Sequence, residues 1–348
     1  MKVVMPAPLL RRAPRAALAL LAGACTVGLL AGCAGSDSSA SEGGGTQAAT
    51  LQLGWIANVE NMGPFIGERD GDYADAGVDI TITPGGPSTT VEPLVASGKA
   101  LVGLSSADVV ARARNEGAPL VIVGATLQVN PMSIMSLASS PVNTLDDLVG
   151  SRLCIQTSGV SIMDGILTAN DIEPSDVEYV TADFDPSPLV AGDCDAFVSF
   201  LNNQPVTLKL QGIDTVAFPL SDYGYEAWGN VLFTTEEALA DETQRAAVKA
   251  VVEGTVAGWT TALADPDDAA AYVVDGPGKS QNLDLEQQKL AAEAFVPLVQ
   301  TAETEQNGLL TMSPEGIAAN IATLEGQGVE GDLDSLFDTS ILDEIHAG

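Results

Sequence analysis

The sequence predicts an α/β protein in which two lobes, each a mainly parallel sheet flanked by helices, face one another across a cleft. Three observations carry that expectation: short apolar runs alternate with helical patterns over residues 51–124, the same rhythm recurs over 153–219, and the chain beyond residue 235 reads as helix alone. In the first stretch Leu51–Ile56, Val78–Thr83, Leu101–Ser105 and Leu120–Gly124 read as strands, with helices near 63–73, 89–97 and 106–116. In the second, after Met132–Ala138, the strands are Leu153–Gln156, Val177–Thr181, Ala196–Phe200 and Thr215–Pro219, with helices near 160–170 and 203–211. Such alternation implies parallel pairing, because parallel neighbours need a crossover long enough to bring the chain back to the same edge. Gly229–Thr235 is strand-like and runs back to the first unit, and helices near 242–265, 284–297 and 314–326 follow. Lobe 1 is therefore expected over 51–130 and 229–348, and lobe 2 over 131–228.

The chain before residue 51 has a different character. Arg11, Arg12 and Arg15 precede an apolar run, Ala16 to Leu30, that closes in Leu30-Ala31-Gly32-Cys33. A basic start, a short apolar core and small residues make a secretory signal over 1–32, and about fifteen apolar residues fall short of a membrane span. The ending resembles the lipobox of bacterial lipoproteins, which implies a lipidated Cys33 and stable anchoring through two acyl chains. Residues 33–50, rich in Ser, Gly and Ala, read as a flexible tether that sets the folded body on the order of 20 Å from the membrane. The expected location is the outer face of the cell membrane.

Composition excludes one class outright. The chain holds 47 acids and 14 lysines and arginines, a formal charge of −33, and four of the bases (Lys2, Arg11, Arg12, Arg15) lie in the expected signal. So acidic a surface repels nucleic acid and anionic lipid. With Cys33 lipidated and Cys25 removed with the signal, Cys154 and Cys194 are the thiols carried into an oxidising compartment. They read either as a disulfide between neighbouring strands or as two buried free thiols.

In open parallel sheets, ligands bind outside the carboxyl ends of the strands, so the residues after each strand are the site candidates. In the first unit these are Trp55, Asn58, Glu60, Ser88, Thr89, Ser105 and Ser106, with Gln128 beyond the fourth strand. In the second they are Ser158, Gly159, Ser161, Asp185, Phe200, Asn202, Tyr225 and Trp228. Several have a structural alternative: Ser88, Thr89, Ser106 and Ser161 suit helix N-caps, and Trp55 suits core packing. The lone histidine, His346, sits near the C-terminus and reads as part of a solvated tail. Asp265, Asp267 and Asp268 lack the glycine turn and terminal glutamate of a calcium loop. No cofactor or metal is implied, and no Ser/His/Asp triad or phosphate-binding glycine loop can be assembled.

Gly54-Trp55-Ile56-Ala57-Asn58, then Gly71-Asp72-Tyr73-Ala74-Asp75-Ala76-Gly77-Val78-Asp79-Ile80, form an aromatic strand end, a polar loop and a Gly-aromatic helix end. With Gly85-Gly86-Pro87, Leu94-Val95-Ala96-Ser97-Gly98-Lys99-Ala100, Leu145-Asp146-Asp147-Leu148-Val149-Gly150 and Phe184-Asp185-Pro186, this order resembles the solute-binding lipoproteins of ABC importers. The branch it resembles includes the nitrate, sulfonate and taurine binders and the binders of thiamine-pyrimidine precursors. The resemblance implies a type II periplasmic-binding fold that closes by hinge motion, a monomer, no enzymatic activity, and a membrane permease with its ATPase as partners. No mature lysine or arginine falls in a strand-end loop, whereas Glu60, Asp108, Asp183 and Asp185 do. The ligand expected is thus a small thiamine-precursor-like heterocycle stacked on Trp55; a sulfonate, taurine or nitrate anion held by helix N-termini is the alternative. A tethered sensor is a further reading. A fungal pyrimidine-making enzyme shares the fold, but it relies on a histidine, a lysine-bound cofactor and a cysteine-rich motif that have no counterpart here.

Overall fold

The structure is a computed structural model that describes residues 46–86 and 88–347. The signal, Cys33 and the tether as far as residue 45 lie outside the described residues. Ten strands form two five-stranded sheets: β1 (Gln47–Gln52), β2 (Val78–Thr83), β3 (Val102–Ser105), β4 (Leu120–Ala125), β5 (Met132–Leu137), β6 (Arg152–Ile155), β7 (Glu178–Thr181), β8 (Ala196–Phe200), β9 (Thr215–Pro219) and β10 (Val231–Thr235). The fourteen helices described are α1 (Met62–Asp70), α2 (Asp72–Asp75), α3 (Glu92–Ala96), α4 (Ala107–Asn115), α5 (Val160–Ala169), α6 (Ser187–Ala191), α7 (Gln204–Leu210), α8 (Glu236–Ala240), α9 (Glu242–Ala264), α10 (Pro266–Asp275), α11 (Leu285–Val299), α12 (Ala302–Asn307), α13 (Pro314–Gly326) and α14 (Ser340–His346).

The first sheet runs β2-β1-β3-β10-β4 and the second β7-β6-β8-β5-β9. Each has one reversed strand: β10 is antiparallel to β3 and β4, and β5 to β8 and β9. The remaining four strands of each sheet run in one direction, so the expected α/β fold of two mainly parallel lobes is the one observed. Met132–Leu137, unassigned from sequence, is the strand that reverses in the second sheet. β1 starts at Gln47, four residues inside the expected tether, and stops at Gln52. Its partner β2 dictates this, since Gln47 pairs with Val78 and Gln52 with Thr83, so Trp55 follows the strand rather than ending it.

Period-two alternation sorts the second sheet onto two cores: Leu153, Ile155, Ala196 and Val198 join one apolar cluster, while Cys154 and Phe197 join another on the opposite face. Cys154 and Cys194 are bonded, with Cα atoms 5.7 Å apart, which decides between the two readings of these thiols. One large cluster covers the first sheet and its helices, from Ala49 to Leu342. Within it α1 lies on α9 at backbone contact. Cβ atoms added to Gly63 and Gly258 would stand 2.3 Å from the Trp259 ring and 2.2 Å from the Gly63 oxygen respectively, so only glycine permits this approach.

Many acids serve helix starts. Asp241, Asp265 and Asp284 cap α9, α10 and α11 by accepting backbone N–H groups, and Asp267 and Asp268 pair with Lys289 and Arg69. His346 belongs to α14 instead of a loose tail, and its Nε2 lies 3.0 Å from the Leu309 oxygen. Among the described residues no helix is long and apolar enough to cross a membrane, and no group of three metal-binding side chains occurs.

The chain passes between sheets through 126–131 and returns through 220–230. These crossings are bound side by side: Thr126 N donates to the Asn230 oxygen at 2.9 Å, Asn130 Nδ2 donates to the Ala227 oxygen, and Met132 N donates to Asn130 Oδ1 at 2.9 Å. Gln128 Nε2 fastens the first crossing to the Ala125 and Thr311 oxygens. The cleft opens above this double crossing.

Candidate functional site

Strand ends build the cleft, whose volume is about 370 Å³. From the first sheet come Trp55, Glu60 and Asn61 after β1, and Leu104, Ser105, Ser106 and Asp108 at the end of β3 and the start of α4. Trp55 is held by a tight turn in which Gly85 N donates to the Trp55 oxygen at 2.8 Å; a Cβ on Gly85 would lie 2.4 Å from the Leu53 oxygen. Met132, Ile162 and Phe200 line the cleft from the second sheet's side, and Asn130, Pro131, Tyr225, Gly229 and Asn230 from the crossings. The lining therefore has a polar, acidic wall and an apolar one.

Glu60 sits in a short 3-10 turn, Val59–Asn61, capped by Asn58, whose Oδ1 accepts from Glu60 N at 3.1 Å. The Glu60 side chain keeps partial exposure into the cleft. Elsewhere protein surrounds its carboxyl, and this desolvation pushes its pKa up to about 7, opposed in smaller measure by hydrogen bonding from Asn58 and Asn202. Near neutrality such a carboxyl either accepts two hydrogen bonds or donates one and accepts another. Ser105 Oγ donates to Glu92 Oε1 at 2.6 Å. Tyr225 is buried, and its hydroxyl is pushed up mainly by desolvation, with the Asp108 charge adding to it.

Of the residues expected from sequence, Trp55, Glu60, Ser105, Ser106, Phe200 and Tyr225 meet in the cleft. Asn58 and Asn202 stand behind Glu60; Asn202 is 4 % exposed, and its Oδ1 has no hydrogen-bond partner in the protein. Ser88 and Thr89 belong to the loop before α3, where Thr89 N donates to the Gly86 oxygen, outside the lining. Ser158 and Gly159 occupy the 3-10 turn that leads into α5, Ser161 is exposed on α5, and Asp185 accepts from Ser187 N to open α6. Gln128 is spent on backbone oxygens, as above. Trp228 is a core residue, 3 % exposed and edge-on to Phe337 at 5.8 Å between ring centroids, while its backbone N–H donates to Asn320 Oδ1.

Phe184 lies outside the residues expected from sequence, yet its exposed ring reaches from the β7–α6 loop to within 6.2 Å of Trp55, centroid to centroid. Asn130, Asn230, Met132 and Ile162 also line the cleft without a sequence signal that marks them. Sequence marked strand ends, but these residues enter the cleft from crossings, from the reversed strand and from a helix face. An exposed phenylalanine in the segment Asp183-Phe184-Asp185 was the one available signal.

No lysine or arginine lines the cleft among the described residues, and the first N–H of α4 is taken by the Trp228 oxygen at 2.9 Å. Both features remove groups that would hold an anion.

The fold has known counterparts. The periplasmic aliphatic sulphonate binding protein SsuA from Escherichia coli superposes with a TM-score of 0.60 over 80% of this chain and 86% of its own, at 15% identity, which is a likeness of fold. A formylaminopyrimidine-binding protein from Halalkalibacterium halodurans is 27% identical over 288 residues, 81% of each chain. A 4-amino-5-hydroxymethyl-2-methylpyrimidine phosphate synthase from Legionella pneumophila subsp. pneumophila is 26% identical over 163 residues, 46% of this chain and 51% of the relative. The family described as "NMT1/THI5 like" matches residues 58–269, well over half of the sequence, and to that family this chain belongs.

Proposed function

We propose that this protein is an exported solute-binding protein that captures a small amino-bearing heterocycle of the thiamine-pyrimidine-precursor type and delivers it to the permease of an ABC importer. The carrying observation is the composition of the polar wall: an aromatic ring, Trp55, beside Glu60, Ser105 and Asp108, with no cation in the described lining. A flat heterocycle gains from the Trp55 face, and its amino and ring-nitrogen edge complements a carboxyl that can accept and donate together. The formylaminopyrimidine-binding relative supports the ligand class over most of both chains. Lipid anchoring through Cys33 and a monomeric state complete the proposal, on the sequence grounds given above.

A sulfonate or other anion is the second reading, favoured by the SsuA-like fold and opposed by the acids. Catalysis, as in the synthase relative, needs reactive groups at the ligand. The described lining holds neither histidine nor lysine, and His346 meets Leu309 instead. This supports a binding role.

A thermal-shift panel on the purified mature protein tests the reading, with aminopyrimidines, other vitamin-like heterocycles, alkanesulfonates and nitrate. A ligand at 100 times its dissociation constant adds about 2.7 kcal/mol, a visible rise in Tm. Trp55→Ala should remove about 2 kcal/mol of affinity for the heterocycle while leaving the apo Tm nearly unchanged. Stabilisation by alkanesulfonates alone would overturn the proposal.

A further inference from the structure

Behind the polar wall lies a buried acid that does not line the cleft. Glu92 opens α3, is 6 % exposed, and accepts the Ser105 hydroxyl proton at 2.6 Å. A hydroxyl that donates to a carboxylate makes a bond about twice as strong as one between neutral groups. A hydroxyl has one proton and two acceptor lone pairs, whereas a carboxylate can only accept. With its proton committed to Glu92, Ser105 has only lone pairs left for the cleft. Its position is set firmly, because β3 is paired on one side with β1 and on the other with β10, where Ser105 faces Val231.

We infer that Glu92 is a specificity-determining residue acting through Ser105: it makes Ser105 a pure acceptor toward the ligand, so the site takes amino-bearing heterocycles and rejects their oxo-bearing counterparts. An oxo group at the same place sets lone pairs against lone pairs and leaves two buried acceptors unpaired, which is the costly case for a hydrogen-bonding site. Asp108 on the same wall pushes in the same direction as a carboxylate. Glu60 does not fix the choice, because a carboxyl that holds a proton can also donate. The inference rests on the heterocycle reading above and extends it to the identity of one exocyclic group.

Calorimetric titration of the mature protein with 4-amino-5-hydroxymethyl-2-methylpyrimidine, and with the counterpart carrying oxygen in place of the amino group, tests it. The wild type should prefer the amino compound by about tenfold or more. In Glu92→Gln the amide can donate to Ser105, so the hydroxyl proton turns to the cleft and the preference should shrink to about unity or reverse. Ser105→Ala should weaken the amino compound about tenfold and bind the oxo compound somewhat more tightly, so the preference disappears, which keeps the test open where Glu92→Gln does not fold. A Glu92→Gln protein with the wild-type ratio overturns the inference and leaves the proposed function standing; a wild type that binds the oxo compound as well also overturns it. If neither pyrimidine binds, the proposed function fails, and infrared difference spectra of the apo protein decide the inference. Ser105→Ala must shift an ionised-carboxylate band that Glu92→Gln abolishes; an unshifted band, or the carbonyl band of a protonated acid at Glu92, sinks it.

Discussion

The two lobes solve the same folding problem with different means. The first lays its sheet under a long helical C-terminal stretch and gathers one continuous core, with α1 pressed onto α9 until their backbones touch at Gly63, Gly67, Gly254 and Gly258. The second has a separate, smaller apolar cluster on each face of its sheet, and a disulfide joins β6 to the segment before β8. Small cores gain least from burial, so a covalent link contributes proportionately more there. The division extends to the cleft: the heavily packed lobe presents Trp55, Glu60, Ser105 and Asp108, and the stapled lobe adds Met132, Ile162 and Phe200. Polar recognition needs positions held to fractions of an ångström, and a dense core supplies them; an apolar cover tolerates more play.

The contrast can be broken at its strongest point first. Gly258→Ala places a methyl against the backbone of α1 and should cost about 3 kcal/mol in urea unfolding, with hydrogen exchange rising first in β1, β2 and α9. A loss below about 1 kcal/mol would mean that the two helices slide apart freely. Next, Cys154→Ala/Cys194→Ala opens a link across a sequence separation of 40 residues and should cost about 2–4 kcal/mol, read as faster exchange in β6 and β8 while the first sheet stays protected. Uniform loosening of both sheets would show that the lobes share one cooperative unit.

The smallest effect sharpens the comparison at the recognition wall. Burial lifts the Glu60 carboxyl from an ordinary 4.5 to about 7, so between those values the folded protein binds the proton that the unfolded chain releases. The stability from this group is therefore full below about pH 4.5 and is lost as pH rises through about 7. With water reaching the cleft, the change should be about 1–2 kcal/mol. Urea midpoints at pH 5 and pH 8 should differ less in Glu60→Gln than in the wild type; equal differences would remove Glu60 from the account.

Legibility followed locality. For β2, β8 and β9 the expected and observed bounds coincide, because each is a run of β-branched or aromatic residues closed by turn residues. β5 carries no clear strand signal, since Met132-Ser133-Ile134-Met135-Ser136-Leu137 does not alternate cleanly; as a reversed inner strand its Ser133 is buried and bonds Ser199 across the sheet. Short helices such as α6, α8 and α12 escaped because a turn or two carries little periodicity. In the cleft the strand-end rule found Trp55, Glu60, Ser105 and Phe200, and misjudged Trp228, which shares their aromatic or polar character but is packed against Phe337.

By itself, then, the sequence determined the α/β class, the pairing of lobes, the family resemblance and an acidic cleft without a cation, all of which depend on local patterns and on composition. Only the tertiary structure decided the bond between Cys154 and Cys194, the placement of Asn130 and Asn230, the raised pKa of Glu60 and the capture of the Ser105 proton by Glu92. Each of these needs residues remote in the chain, or the burial of a single group, and neither quantity is carried by neighbours in sequence.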